Sequence, residues 1–246
     1  MRVALYADIH GNREALEACI GHAARMGAER QVFLGDLVGY GADPQWVVET
    51  AMAAQAQGAI AVQGNHDAAI KVGSGGMNGA AAAAIAWTRS ALNAEAREFL
   101  ASLPLEIEEE DRLYVHADAS SPARWNYVTD SESARRSLEA TRAQATFCGH
   151  VHTPCLYGIT ATSKMMRFKP VSGVAVPLAR PRQWLAVLGA VGQPRDGDPA
   201  ACYGLLDTTA QTLAWMRVPY DIATAAGKIR AAGLPDSLAR RLSEGR

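Results

Sequence analysis

The chain of 246 residues has almost no excess charge: 24 lysines and arginines stand against 25 aspartates and glutamates, a formal net charge of −1. It therefore lacks the basic surface that non-specific nucleic-acid binding requires, which argues against a nucleic-acid partner. It also lacks any apolar run near the roughly 20 residues that span a bilayer. The run of identical apolar residues at positions 80–84 contains only five alanines. No basic segment followed by an apolar one begins the chain, so we expect neither a signal peptide nor a membrane partner.

Cysteine is also scarce, and its distribution excludes a disulfide framework. No C-x-x-C pair occurs among Cys19, Cys148, Cys155 and Cys202, so we expect buried, reduced thiols and a cytoplasmic protein. Apolar residues make up 49% of the chain, enough to bury the core of one sizeable domain over residues 1–246. The oligomeric state is left open, although strand edges in the C-terminal half would suit a homo-oligomer.

The chain does contain a series of polar motifs, each placed directly after a short apolar run that predicts a buried strand. Five of the six histidines lie in these motifs, and His22, in a predicted amphipathic helix, is the exception. Because ligands bind at the carboxyl ends of the strands in an open α/β sheet, the motifs can converge on one point. In chain order they are Asp8-Ile9-His10-Gly11-Asn12, Gly35-Asp36, Gly64-Asn65-His66-Asp67, Val115-His116 and Gly149-His150-Val151-His152.

The residue types in these motifs indicate a metal centre. Neutral imidazole, carboxylate and amide oxygen together suit Mn, Fe, Zn or Ni better than Mg or Ca alone. A carboxylate with one oxygen for each ion is the simplest bridge between metals about 3.5–4 Å apart, the spacing of two-metal hydrolases. A lone D-x-H or G-D occurs by chance in most proteins, whereas the ordered set of five is a strong indication.

The ordered set resembles the calcineurin-like metallophosphoesterase superfamily. The resemblance implies that two divalent metal ions share Asp36 as a bridge, that a hydroxide between the ions attacks the phosphorus, and that His66 is the general acid. Manganese is the first candidate for both ions, with Fe, Zn or Ni as alternatives. By the same resemblance the first ion would be held by Asp8, His10, Asp36 and His152, and the second by Asp36, Asn65, His116 and His150.

Two further segments narrow the resemblance. Residues 35–44 and 192–199 are similar to a compact prokaryotic branch whose members are diadenosine-tetraphosphatase-like or uncharacterised metallophosphoesterases. The protein serine/threonine phosphatase branch carries G-D-x-V-D-R-G, whose arginine grips phosphate, whereas this chain has Gly39 and Tyr40 in place of the Asp-Arg pair. A bidentate phosphate clamp is missing at this position, which disfavours that branch.

The function predicted is hydrolysis of a small phosphomonoester or phosphodiester, nucleotides included. A protein serine/threonine phosphatase and a metal-binding scaffold without turnover are the alternatives, and the intact His66 and ligand set argue against the scaffold. Asn12 is a candidate phosphate contact, but it also suits a helix start. Arg195 either reaches a second phosphate or pairs with a neighbouring aspartate. Trp125 and Tyr127 suit stacking on a base or ordinary packing.

The periodicity predicts an α/β fold. Helical spacing over residues 16–27 and a helix start at Asp43-Pro44 give a β-α-β-α-β order, typical of a parallel sheet covered by helices. Residues 78–102 predict two helices broken near Asn93, an insert at about 77–103. The preceding segment from Gly73 to Gly76 suits either a flexible linker or a lid. The acidic run over residues 106–111 predicts a solvated turn.

The C-terminal part, about residues 184–246, predicts short strands and then a helical tail. Strands over residues 184–188, 202–206 and 212–218, the last two forming a hairpin, are expected to build a second sheet. Together with the resemblance, this predicts a four-layer α/β/β/α sandwich. Two mixed sheets would be flanked by helices, with the dinuclear metal site at the carboxyl ends of the strands.

Overall fold

The structure, a computed structural model, describes all residues 1–246 and contains two six-stranded mixed β-sheets flanked by helices. This confirms the predicted α/β sandwich. In the first sheet the strand order is β3-β2-β1-β11-β12-β9, in which β1 to β3 are parallel and the other strands run antiparallel to their neighbours. Its strands are β1 (Arg2–Tyr6), β2 (Arg30–Phe33), β3 (Ile60–Ala61), β9 (Val176–Pro177), β11 (Ala201–Asp207) and β12 (Thr212–Val218).

The second sheet has the order β4-β5-β6-β10-β7-β8. Its centre is parallel, since β5, β6 and β10 run in the same direction, and its remaining strands are antiparallel to their neighbours. The strands are β4 (Glu106–Glu109), β5 (Arg112–Val115), β6 (Ala145–Cys148), β7 (Cys155–Ile159), β8 (Met165–Phe168) and β10 (Gln183–Val187).

Eight α-helices accompany the sheets, and several begin at side-chain caps that the sequence supplies. Asn78 and Asn93 each accept a hydrogen bond from a backbone N–H one turn into their helices, and Asp221 does so for the first helix of the tail. None of the helices is long and apolar enough to cross a membrane. The helices are α1 (Arg13–Arg25), α2 (Pro44–Ala56), α3 (Asn65–Val72), α4 (Gly79–Ala91), α5 (Ala94–Ser102), α6 (Ser131–Glu139), α7 (Ile222–Ala231) and α8 (Asp236–Glu244).

Alternation along the strands creates the layers. In β1, Ala4 and Tyr6 pack against the helices of the first sheet, whereas Val3 and Leu5 pack against the second sheet. In β10, Trp184 belongs to the core between the sheets. Its neighbour Leu185 packs on the side of α6. The five strands that precede the motifs are largely buried on both faces, which accounts for their nearly continuous apolar runs.

The assignment of the C-terminal strands to a second sheet is wrong in part. The strand at 184–188 does join the second sheet, as β10. The hairpin β11–β12 instead extends the first sheet, because β11 pairs antiparallel with β1, from Arg2 opposite Asp207 to Leu5 opposite Gly204. The second sheet is built around β5 and β6, so the five motifs are shared between two sheets rather than placed on one.

The prediction of a turn over the acidic run is correct only for Glu110 and Asp111, which connect β4 to β5. Glu106–Glu109 forms the edge strand β4, paired antiparallel with β5, with Glu106 and Glu108 exposed and Glu109 half-buried. Charged residues are common on such an edge because they hinder pairing with another chain. Strands β7, β8 and β9 were not predicted. The assignment of residues 1–246 to one domain with an insert at about 77–103 stays a prediction.

Candidate metal centre

The five motifs meet where β1, β2 and β3 of the first sheet and β5 and β6 of the second sheet end. Backbone hydrogen bonds tie the loops together: the N–H of His10 donates to the carbonyl of Asp36, and that of Gly149 to the carbonyl of His116. Across the two sheets, the N–H of His150 donates to Asp8 Oδ2 at 2.8 Å. The polar side chains of both sheets are thus fixed in one small volume.

The backbone at this junction is strained. Nine non-glycine residues of the chain have a positive φ, a conformation uncommon for residues with a Cβ. Five of the nine are candidate ligands, with φ between 51° and 66°: Asp8, His10, Asp36, His150 and His152. Such strain costs of order 1–3 kcal/mol per residue and persists where the surroundings impose it, most often at functional sites.

Three of the histidines have their tautomer set by a backbone carbonyl. The Nδ1–H of His10 donates to Val38 at 3.1 Å and that of His116 to Leu34 at 2.8 Å. The Nδ1–H of His152 donates to Gln193 at 2.6 Å. Since a carbonyl only accepts, each Nδ1 carries a proton, and each ring in its neutral form turns the lone pair of Nε2 inward, as metal-binding histidines do.

The first cluster contains His10, His152 and Asp8, all buried. The two Nε2 atoms of the histidines lie 3.1 Å apart, and Asp8 Oδ1 lies 3.3 Å from that of His152 and 4.0 Å from that of His10. Asp8 Oδ1 is buried without a hydrogen-bond partner. Two lone pairs and an unpartnered carboxylate oxygen facing one another call for a cation between them.

The second cluster is built around His116. Its Nε2 lies 3.1 Å from Nδ1 of His150 and 3.2 Å from Oδ1 of Asn65. With metal–nitrogen bonds of about 2.1 Å, neighbouring ligands of one ion lie about 2.9–3.4 Å apart. The separations in both clusters therefore fit a divalent transition metal, and the residues can hold such an ion.

Asp36 lies between the clusters. Its Oδ2 is 3.6 Å from Nε2 of His10 and 3.5 Å from Nε2 of His116, while Oδ1 accepts a hydrogen bond from the N–H of His66 at 2.8 Å. One oxygen is thereby tied to the backbone, and the other faces one histidine from each cluster. Oδ2 alone is therefore in position to bridge two ions, whereas the sequence suggested a bridge with one oxygen for each ion.

The pKa values of the buried groups indicate which of them carry a charge. Burial opposes protonation of His116, but the Asp36 carboxylate outweighs it and raises the pKa of His116 to about 9. Burial equally opposes ionisation of Asp36, but His116 and then His66 hold its pKa well below the usual range. Burial lowers the pKa of His10 well below 6.5. The centre therefore holds an ionised carboxylate, and in the metal-free protein a proton on His116 takes the place of a cation.

His66 stands apart from the two clusters. It is buried, its Nδ1 has no hydrogen-bond partner, and its ring lies 4.8 Å from that of His10. Burial lowers its pKa, against the opposing effect of Asp36. His66 also lies within ligand distance of His10 and Asp36, so the geometry allows either a metal contact or a free imidazole beside the metals.

Two of the motif glycines are required because a carboxylate of another motif lies against their Cα atoms. A Cβ on Gly149 would collide with Oδ2 of Asp8, and a Cβ on Gly64 would collide with Oδ1 of Asp36. These two oxygens are the ones held by backbone N–H groups. The glycines in G-H-x-H and G-N-H-D therefore leave room for the carboxylates of the preceding motifs.

The two proposed substrate contacts are placed differently. Asn12 caps α1 by accepting from Ala15, and it donates to the carbonyl of Gly192 and to Tyr220. These bonds use its polar atoms to fix the loop, the structural alternative that the sequence left open. Arg195 donates to the hydroxyl of Tyr40 at 3.4 Å and to Gln193 Oε1 at 3.2 Å.

Arg195 makes no ion pair with the neighbouring aspartates, because Arg217 binds both Asp196 and Asp198. Its guanidinium is therefore held beside Tyr40, whose ring lies 4.4 Å from that of His10 and 4.6 Å from that of His66. The sequence marked Tyr40 only as the residue that replaces an arginine. Its place at the centre depends on packing that no motif records.

A cleft of about 510 Å³ opens beside the centre. Asn65, His66 and His150 line its inner end, and Tyr40, Trp125 and Tyr127 line it as well. The link from Gly73 to Gly76 contributes to the wall, and its function as a lid stays a prediction.

Comparison with known proteins decides the family. The model of the calcineurin-like phosphoesterase superfamily domain matches residues 1–211. The chain belongs to the calcineurin-like phosphoesterase superfamily. The resemblance drawn from the five motifs is thereby confirmed, and the protein is a hydrolase acting on phosphoester bonds.

Two relatives match the chain over nearly its whole length. An uncharacterised protein of Methanocaldococcus jannaschii is 33% identical over 250 residues, covering 99% of this chain and 98% of that protein. A metallophosphoesterase from Sphaerobacter thermophilus is 35% identical, with a TM-score of 0.88 over 100% of this chain and 99% of that one. A hypothetical protein of Pyrococcus horikoshii OT3 has the same fold, with a TM-score of 0.77 at 19% identity over 100% and 98% of the two chains. These matches agree with a compact prokaryotic branch.

Proposed function

We propose that the protein is a dinuclear metal-dependent phosphohydrolase acting on small phosphomonoesters or phosphodiesters, nucleotides included. The observation that carries the proposal is the place of Asp36 Oδ2, 3.6 Å and 3.5 Å from the inward nitrogens of His10 and His116. Because Asp36 Oδ2 is within reach of both clusters, it can bind an ion in each of them. Manganese is the first candidate, and Fe, Zn and Ni accept the same ligands.

The ligand sets follow the two clusters. When bound, the two ions would lower the pKa of a shared water and neutralise charge that builds up on the phosphoryl group. The carbonyl hydrogen bonds to His10, His116 and His152 hold the imidazoles in the tautomer that this requires. The proposed sets are Asp8, His10, Asp36 and His152 for one ion, and Asp36, Asn65, His116 and His150 for the other.

His66 is proposed as the general acid. It lines the inner end of the cleft, beside Asp36 and His10, where the leaving oxygen of a bound ester would lie. Burial lowers its pKa in the metal-free protein. A phosphate ester brings negative charge next to the ring, which favours the protonated form that donates to the leaving group.

The size and composition of the cleft favour a small substrate over a phosphoprotein. The cleft of about 510 Å³ is within the usual range of small-molecule sites. Tyr40 stands where the protein serine/threonine phosphatases carry their phosphate-gripping arginine, and Arg195 behind it donates to the Tyr40 hydroxyl rather than forming a second clamp. We propose Arg195, through this contact, as an indirect determinant of phosphate binding.

The proposal includes the cellular location and the oligomeric state of the enzyme. All four cysteines are unpaired and buried, as in proteins of a reducing compartment, so we propose a cytoplasmic location. A homo-oligomer is compatible with strands β9 and β8, each of which forms one open edge of its sheet.

The test removes all metal and restores Mn, Ni, Zn or Mg one at a time, with p-nitrophenyl phosphate and bis(p-nitrophenyl) phosphate as substrates. We expect turnover to return with a transition metal, and the ratio of the two rates to separate monoesterase from diesterase. His66→Ala should lower the rate by about 10²–10⁴-fold. His22→Ala is the matched control, since His22 lies on α1 and bonds Tyr203 outside the centre.

Two outcomes would contradict the proposal. Binding of two ions without turnover under any metal would favour the scaffold alternative. An unchanged rate in His66→Ala would remove the general-acid role while leaving the metal centre in place.

A further inference from the structure

The outer part of the cleft has a composition that the metal chemistry does not require. None of its 15 lining residues is Lys, Arg, Asp or Glu, although 20% of the chain is charged. Away from the metal centre, the lining residues other than Asn78 are glycine, apolar or aromatic, and Val72 is 81% exposed. A second phosphate or a charged peptide would find no countercharge on these walls, whereas an uncharged flat group needs none.

Tyr127 offers one face of its ring to this space. Its other face stacks on His150, with ring centroids 4.1 Å apart and planes at 16°. The residue is nevertheless 54% exposed and lines the cleft. The stacking fixes the phenol plane relative to a residue of the metal centre, so a second ring placed on the open face would lie at a defined position.

Trp125 is presented to the same cleft by a strained backbone. Its φ is 54° and its ψ is 39°, and for a bulky residue this is a genuine outlier. The indole lies edge-on to His116, with ring centroids 5.9 Å apart. Strain of this kind persists where the surroundings impose it, and it is common at ligand sites.

The cleft connects the metal centre with the aromatic side chains. His66 and His150 of the centre line it together with Tyr127, Trp125 and Val72. A group bonded to a leaving oxygen beside His66 can therefore reach the aromatic part of the cleft.

We propose that this cleft is a subsite for a planar aromatic group on the alcohol side of the phosphoester, with Tyr127 as its stacking platform and Trp125 as its flank. The inference rests on the proposed function for the placement of the phosphate at the metals. A nucleobase carried on a sugar phosphate is the chemical class that fits: flat, uncharged and joined to one phosphate at the metal end.

The test compares adenosine 5′-monophosphate with ribose 5-phosphate, which share the sugar phosphate and differ only in the base. Dissociation constants are measured by titration calorimetry on the manganese-loaded protein, with His66→Ala in the background to prevent turnover. We expect the nucleotide to bind roughly 10-fold or more tightly than the sugar phosphate, since stacking of a base on an aromatic side chain is of that order.

Tyr127→Ala should remove this difference by weakening the nucleotide alone, and Tyr127→Phe should retain it. Phe168→Ala is the matched control, because Phe168 is a 46% exposed aromatic residue outside the cleft. Metal content is measured in each variant, since Tyr127 touches His150.

Equal binding of the two ligands by the parent protein would overturn the inference alone, as would an equal loss of both in Tyr127→Ala with metal content unchanged. Failure of both ligands to bind the manganese-loaded protein would overturn the inference together with the proposed function.

Discussion

Replacing Asp36 with asparagine should disturb both metal clusters at once while leaving the fold of the motif loops intact. The amide has the same shape, and its Oδ1 still accepts the 2.8 Å hydrogen bond from the N–H of His66. What is lost is the negative charge between His10 and His116. The perturbation is therefore electrostatic.

The pKa of His116 gives the magnitude in the metal-free protein. Burial by itself lowers this pKa, and Asp36, followed by Asp8 and the Leu34 carbonyl, raises it from 6.5 to about 9, a net shift that corresponds to about 3 kcal/mol favouring the protonated ring. In Asp36→Asn the largest effect that raises this pKa is lost, and only Asp8 and the Leu34 carbonyl still oppose burial, so the pKa of His116 should fall well below 9. Because the folded-state pKa is raised, this stabilisation is complete below about pH 6.5 and is lost as the pH rises through about 9. Histidine NMR of the metal-free proteins measures the change.

The metal-loaded protein supplies the second assay, with Asp8→Asn as the matched control. Asp8 Oδ1 approaches the imidazoles of His10 and His152 only, and in Asp8→Asn the amide oxygen can still accept the hydrogen bond from the N–H of His150. This replacement should therefore weaken one ion and spare the other. Asp36→Asn should weaken both, by more than the 10–100-fold typical of losing an outer partner of a ligand, and turnover should fall accordingly. Two tightly held ions with an unchanged rate in Asp36→Asn, or a His116 pKa that stays near 9, would show that Asp36 does not bridge the two clusters.

Further predictions concern a motif glycine, the pH dependence of metal binding, stabilisation of the fold by metal, and a leucine of the hydrophobic core. Gly149→Ala puts a Cβ into the Asp8 carboxylate and should lower metal content measured by elemental analysis; Gly75→Ala, where a Cβ meets nothing, should not. Because His116 has a pKa of about 9, metal must displace its proton. Manganese affinity measured by calorimetry should therefore rise by up to about 10-fold per pH unit toward pH 9, and a flat profile from pH 7 to 9 would contradict this. Restoring one ion at 100 times its Kd should stabilise the protein by about 2.7 kcal/mol, seen as a higher Tm; an unchanged Tm would mean that the folded state is not what binds metal. Leu238→Ala, fully buried on α8, should lower the free energy of unfolding by about 2–5 kcal/mol in denaturant titrations, without changing kcat.

The sequence carried most of the information about the centre because the motifs combine chemistry with position. Asp8, Asp36 and His116 each follow a strand, and strand ends that meet bring such residues together whatever the exact register. The assignment of the β11–β12 hairpin to the second sheet was wrong. Pairing between distant strands, such as β1 with β11, depends on long-range contacts that local patterns do not encode.

The orientation of the side chains could not be predicted either. The carbonyls of Leu34 and Gln193 set the imidazole tautomers of His116 and His152, but a backbone acceptor has no sequence signature. The positions of Tyr40 and Tyr127 at the cleft likewise depend on how loops from different sheets pack. The sequence identified Trp125 and Tyr127 as candidates for stacking, and the structure shows that both line the cleft.

Anomalous diffraction from crystals of the manganese-loaded protein would locate the bound ions. We expect two manganese peaks about 3.5–4 Å apart, with Asp36 between them, Asp8 and His152 on one ion, and Asn65 and His116 on the other. A single peak, or two peaks with Asp36 bound to only one of them, would contradict a dinuclear centre bridged by this carboxylate.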